Sequence, residues 1–217
     1  MDLKSLLNQA LNSDLVKQGQ SQLKQQSSSG TLKSLGAGAV GGGFVNLLMG
    51  SKKSKKLGKK VGKNALKVGG VALLGGLAYK VYNDYQSKQS TSAPQETFNP
   101  NDVVHHQLIL KAMIAAAKAD GHVDQQEMMH IESTLKESGA DVQLQQFVHD
   151  ELNKPLDPRE IALQARSPQQ GSEIYLASLI VIDEQNFMEK AYLQELAKQL
   201  QLDREVIFQL EQQLQSQ

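Results

Sequence analysis

Read from the N-terminus, the chain changes its pattern of apolar positions several times. Leu3, Leu6, Leu7, Ala10, Leu11 and Leu15 recur at three- and four-residue steps, which predicts an amphipathic helix over residues 2–17 with one apolar stripe. GQSQLKQQSSSG, residues 19–30, offers a core nothing to bury and reads as a flexible linker. Two apolar stretches follow, LGAGAVGGGFVNLLMG at 35–50 and ALKVGGVALLGGLAYKVY at 65–82, with the basic run SKKSKKLGKK at 51–60 between them. A polar connector, QSKQSTSAPQETFNP at 86–100, separates these from the rest.

From residue 100 onward apolar residues return at helical steps, and no alternating strand pattern is seen. The spacing predicts helices near 100–119, 124–138, 141–152, 158–165, 168–182, 187–200 and 203–214. Asn99-Pro100, Asp157-Pro158 and Ser167-Pro168 each place a capping side chain before a proline, whose missing N–H costs nothing in a first helical turn. Asp124-Gln-Gln-Glu127 and Asn186-Phe-Met-Glu189 have capping-box spacing. The chain is thus expected to be all-α: an amphipathic helix and linker over 1–30, a glycine- and lysine-rich segment over 31–85, a polar linker over 86–99, and a helical bundle over 100–217.

Charge sharpens this division. Residues 1–100 carry 14 lysines against four acids, a net +10, and residues 101–217 carry nine basic against 19 acidic residues, a net −10. Of the 17 glycines, 13 lie between Gly30 and Gly76. In water, each glycine inside a helix costs about 1 kcal/mol relative to alanine, so this density favours lipid, where small residues let helices approach. Each apolar stretch is shorter than the roughly 20 residues that span a bilayer. The second is helped at its ends by Lys63 and Lys67, which can snorkel, and by Tyr79, Lys80 and Tyr82 as an interfacial belt.

The expectation is therefore a membrane-associated segment, as a transmembrane helix or hairpin, with peripheral contact or a glycine-rich linker as the other readings. The positive-inside rule keeps the lysine run cytoplasmic. A single span would export the acidic bundle to the periplasm, and a hairpin or a peripheral contact would leave it in the cytoplasm. The start, MDLKSLLNQALNSDL, lacks the basic region and continuous apolar run of a secretory signal. With no cysteine, the chain has neither disulfide nor thiolate chemistry.

The densest chemistry lies in AAAKADGHVDQQE, residues 115–127. Asp120, Asp124 and Glu127, together with Asp183 or Glu189 if the turns converge, supply the carboxylates that Ca²⁺ or Mg²⁺ favours. The same residues also serve as helix caps, with Gly121 making the turn, and both uses stay open. It is not an EF-hand: His122 takes the third loop position and Ile131 stands where the closing glutamate belongs. Glu127 and His130 have the Glu-x-x-His spacing of helical di-iron sites, but no second pair occurs. His105 and His106, adjacent and so on different faces of a helix, and the isolated His149 are expected in surface or partly buried structural roles. No nucleophile elbow, P-loop or dinucleotide fingerprint is present.

KADGHVDQQE (118–127) and ID…E…YLQELAKQLQLD (182–203) resemble the tellurite-resistance TerB-like family. AYKVYNDYQ (78–86) at the end of a glycine-rich apolar segment is similar to bacterial inner-membrane proteins of that superfamily. The resemblance implies an all-helical domain with an acidic, cation-binding surface made by Asp120, Asp124, Glu127, Asp183 and Glu189, linked to envelope or tellurite-type stress. The second motif departs from the first, because six rather than seven residues separate Asp183 from Glu189 and no glycine follows Asp183.

The function expected from these features is non-enzymatic. A bacterial inner-membrane anchor would present an acidic helical domain to a protein partner, to another copy of itself or to a divalent cation. A soluble metal-dependent hydrolase using the acidic turns is the alternative. A nucleic-acid binder driven by the lysine run comes third and is disfavoured, because no aromatic residues interleave with the lysines to stack on bases.

Overall fold

The computed structural model describes residues 63–89, 96–99, 103–119, 121, 123, 125–137, 140, 142–182 and 187–215. They form eight helices: α1 (Lys63–Lys88), α2 (Val103–Ala117), α3 (Gln125–Glu137), α4 (Val142–Asn153), α5 (Pro158–Ala162), α6 (Pro168–Val181), α7 (Phe187–Gln199) and α8 (Arg204–Gln215). No strand occurs among the described residues, so the all-α expectation holds. The expected amphipathic helix at 2–17 and the apolar stretch at 35–50 lie outside the described residues.

Local chemistry explains several helix ends. Asp157 starts α5 by accepting the Arg159 backbone N–H at 2.8 Å, and Ser167 starts α6 by accepting that of Gln170 at 3.3 Å. In each, proline occupies the first turn. Helix α7 ends on Gln201, a left-handed residue with φ 52°, and the Leu202 N–H reaches back to the Ala197 carbonyl at 3.2 Å. That closure is a Schellman-type cap with glutamine where glycine is usual.

Helix α6 organises the bundle. Gln169 and every residue from Gly171 to Val181 are buried, and the helix packs against α1, α2, α5, α7 and α8. A helix surrounded on all sides needs no amphipathic stripe, and its apolar residues are distributed around it accordingly. Some of its polar groups reach a neighbouring helix: Ser178 donates to the Ala112 carbonyl of α2 at 3.3 Å, and Tyr175 donates to Glu211 of α8 at 3.0 Å. A second, smaller core joins Leu110 and Ile114 of α2 to Ile131 and Leu135 of α3 and Leu144, Val148 and Leu152 of α4.

The structure departs from the sequence reading at α1. The stretch expected to meet lipid is one helix from Lys63 to Lys88, and its Leu74, Ala78 and Val81 belong to the main core around α6. No helix among the described residues is long and apolar enough to cross a membrane. The physical reason lies in what the glycines do. A Cβ at Gly75 would collide with the Phe98 ring and come within 2.9 Å of Glu173 Oε1, so the small residue admits close neighbours inside a helical bundle. The connector is also tied down, because Asn83 Nδ2 donates to the Glu96 carbonyl at 2.9 Å and Ser167 Oγ donates to Glu96 Oε2 at 2.7 Å.

Candidate functional site

Of the five acids expected to hold a cation, Asp120, Asp124 and Asp183 lie outside the described residues. Glu127 falls in the first turn of α3, and Glu189 is buried in the first turn of α7. Among the described residues no three His, Asp or Glu side chains gather as metal ligands. Gly121 does adopt a backbone that other residues rarely take, with φ 148°, so the turn geometry expected of it is present.

The residue of that motif with the most visible task is Lys118. It is buried at the end of α2, and its amine donates to the backbone carbonyls of Glu151, at 3.0 Å, and of Lys154, at and just beyond the C-terminus of α4. Burial lowers its pKa, opposed by the negative charges of Glu151 and Glu160. Around it Glu151 accepts from Lys154 at 2.6 Å and lies 3.7 Å from Lys111, whose amine also donates to Gln164 at 2.9 Å. The hydrogen bond to Glu151 raises the Lys154 pKa. Lys111, Lys118, Glu151 and Lys154 line a cleft between α2, α4 and α5 together with Asp157 and Glu160. The cleft is a cation-pinned helix end, and Glu189 is not part of its lining.

A second constellation lies at the junction of α1, α2 and α6. His105 Nδ1 is 2.8 Å from Glu173 Oε2, with the two side chains 5% and 0% exposed. The Phe98 ring lies over the imidazole at 4.7 Å between centroids, and the Tyr79 ring meets it edge-on at 5.5 Å. Burial and the charges of Glu173 and Glu96 push the Tyr79 phenol well above its ordinary value, while Ser167 and Gln170 pull the other way. An imidazole and a carboxylate in contact are the parts of an acid–base catalyst, but here they are sealed beneath aromatic rings.

Sequence reasoning missed this pair. His105 and His106, expected at the surface or partly buried, are both fully enclosed, and His149 faces Glu132 at 2.8 Å across the α3–α4 hairpin. The available signal was the acid in GSEIYLASLIV, a glutamate inside an otherwise apolar run, which requires a partner wherever it is buried.

Residues 34–214 match the family described as "Protein of unknown function (DUF533)". The chain belongs to this family. The DUF533 match takes in the glycine-rich stretch and the lysine run together with the described helices up to the last residue but one of α8, so the family pattern joins the two halves that charge divides. The chain is also similar to an "Uncharacterized protein in ampR 5'region" of Yersinia enterocolitica, 33% identical over 100 residues, which are 46% of this chain and 72% of that protein. No solved structure matches this DUF533 chain.

Proposed function

We propose that this protein is a non-enzymatic adaptor, held on the cytoplasmic face of the bacterial inner membrane by residues 31–62 and presenting its acidic helical bundle to a partner. The observation that carries this reading is the continuity of α1. One helix begins at Lys63, at the end of the lysine-rich segment, and its later turns from Leu74 onward lie in the core around α6. Whatever the basic segment meets is thereby joined to the bundle through a helix and not through a slack tether.

Because α1 is seated in the bundle from Leu74 onward, the later part of the 65–82 stretch is committed to protein contacts and the remaining apolar stretch, 35–50, is short for a span. The reading is therefore a peripheral contact, in which Lys52, Lys53, Lys55, Lys56, Lys59 and Lys60 face anionic lipid headgroups at about 1 kcal/mol each. Two features support a binding role over hydrolysis: the imidazole–carboxylate couple is buried beneath aromatic rings, and in the α2–α4–α5 cleft Lys111, Lys118, Glu151 and Lys154 are engaged with one another or with neighbouring polar groups.

The TerB-like resemblance adds a divalent cation to a protein as the ligand of the acidic face, through Asp120, Asp124, Glu127, Asp183 and Glu189, in an envelope or tellurite-type stress response.

Vesicle flotation of the full chain tests the anchor. Binding is expected to vesicles containing phosphatidylglycerol, with release by high salt and loss when the six lysines are changed to glutamine. Equal flotation with purely zwitterionic vesicles would sink the electrostatic contact. Extraction from cell membranes only by detergent would show integral insertion instead. Calorimetric titration with Mg²⁺ and Ca²⁺ tests the ligand, and the absence of heat at millimolar ion would remove the cation.

A further inference from the structure

The direction of α1 follows from what it touches. Gly75 lies against Glu173 of α6, where a Cβ would come within 2.9 Å of Oε1, and about two turns later Asn83 accepts from Gln169 at 3.1 Å, so α1 and α6 run antiparallel. Helix α2 runs beside α6 in the same direction, because His105 meets Glu173 at 2.8 Å and Ser178 meets the Ala112 carbonyl at 3.3 Å. One end of the bundle therefore collects the start of α1, the ends of α2 and α6, and the starts of α3 and α7 that follow them. The end of α4 joins them through the contact of its Glu151 carbonyl with Lys118, and the start of α5 through the cleft that Lys118 shares with Glu160. At about 1.5 Å per residue, α1 extends roughly 18 Å from Gly75 back to Lys63, and α6 only roughly 12 Å from Glu173 on to Val181. The lysine-rich residues before Lys63 thus join the molecule at this end.

The same end offers apolar surface and negative charge together. Phe187, which opens α7, is 83% exposed, Met129, one turn into α3, is 69% exposed, and Leu156 beyond α4 is exposed as well. Asp157 and Glu160 at the start of α5 are exposed, and the sequence carries Asp120 and Asp124 between α2 and α3, and Asp183 and Glu184 between α6 and α7. Exposed apolar side chains rimmed by charge mark contact sites. The residues before α1 have the complementary order, FVNLLMG at 44–50 and then six lysines with no acid between 51 and 60. We propose that the bundle end bearing Phe187 and Met129 is the docking surface for residues 44–60 of the same chain, whose apolar half covers those side chains and whose lysine half faces the acids. Residues 44–62 reach up to roughly 60 Å when extended, ample to turn back over the end of the bundle. A tether this short holds the segment at an effective concentration in the millimolar range, which favours the chain's own segment over that of a second copy. The docking needs no membrane. Only its consequence, that lipid headgroups and the bundle compete for the same six lysines, rests on the membrane reading above.

The experiment uses the full chain, which has no cysteine of its own. Spin labels at Ser54→Cys in the lysine run and at Gln126→Cys, an exposed position in the first turn of α3, report their separation in the absence of lipid. The parent chain should give a narrow, short-distance component. That component should be lost when the six lysines are changed to glutamine. It should be lost again in the double variant Phe187→Ser, Met129→Ser, whose replaced side chains are exposed and stand outside both cores.

A broad distribution in the parent chain overturns the proposal, as does a short-distance component that survives either set of substitutions. Mixing chains labelled only at Ser54→Cys with chains labelled only at Gln126→Cys should give no short distance. A short distance in that mixture would make a second copy the occupant and overturn the intramolecular contact. Should the double variant lose helicity, the lysine-to-glutamine chain decides alone. Distances are read without lipid and vesicle flotation with it, so docking and membrane binding fail separately.

Discussion

Lys118, just beyond α2, and Glu151 of α4 meet through the lysine amine and the glutamate backbone carbonyl, 3.0 Å apart, with the carbonyl of Lys154 sharing the same amine. The last carbonyls of a helix have no partner within it and carry its partial negative charge, so a buried ammonium at that point satisfies both needs. The pin fixes α4 to the end of α2 next to the acidic turn.

Replacing this lysine by methionine keeps much of the packing and removes the donor. Lys118→Met is expected to cost about 1–3 kcal/mol, because two carbonyls at a buried helix end lose their partner. Urea unfolding of the variant against the parent chain measures it. A change within a few tenths of a kcal/mol would mean that water takes over the amine's role.

The glycine pair of α1 gives opposite expectations at adjacent positions. Gly75→Ala drives a methyl group into Phe98 and toward Glu173, and a loss of about 1–3 kcal/mol follows from overpacking. Gly76→Ala meets Phe98 at an ordinary 3.7 Å and should gain about 0.5–1 kcal/mol from a less flexible unfolded chain. Paired thermal melts check the sign of each. Equal effects would show that Phe98 moves aside at little cost.

Gln201 holds a left-handed conformation that a side chain disfavours, with φ 52°, and it is exposed. Gln201→Gly should therefore raise stability by about 1 kcal/mol, since the cap of α7 is kept and the steric cost is removed. A lower melting temperature would indicate that the glutamine side chain contributes a contact worth more than its backbone strain.

Alkaline stability follows from the buried phenols. Burial, first of all, holds the Tyr79 and Tyr192 hydroxyls protonated well past the ordinary tyrosine range. Their folded pKa values are raised, so the unfolded chain loses these protons first and folding stability falls as pH climbs above about 10. Absorbance at the phenolate band should show that these two of the five tyrosines ionise only together with loss of helicity. The double variant Tyr79→Phe, Tyr192→Phe should flatten the alkaline decline.

Much of the helical half was legible in the sequence, and the prolines show why. Asp157-Pro158 and Ser167-Pro168 mark helix starts through interactions two or three residues long, and the structure contains those hydrogen bonds. The seat of α1 was not legible, because glycines in an apolar helix mean close approach without saying what approaches. Lipid-embedded neighbours and the Phe98–Glu173 pair leave the same trace in the sequence. The His105–Glu173 couple is separated by 68 residues, and no local spacing encodes it. Only the presence of a lone acid in α6 hinted that a counterpart had to exist somewhere.

The division between the two apolar cores sets the order in which the molecule comes apart. Helices α3 and α4 share a cluster with Leu110 and Ile114 of α2, while five helices converge on α6. The hairpin can therefore swing away by parting from α2 and breaking the Lys118 pin, whereas shifting α6 disturbs five interfaces at once. Amide exchange under mild denaturant should find the hairpin opening as a separate cooperative unit, and α6 surrendering its protons only when the whole bundle melts.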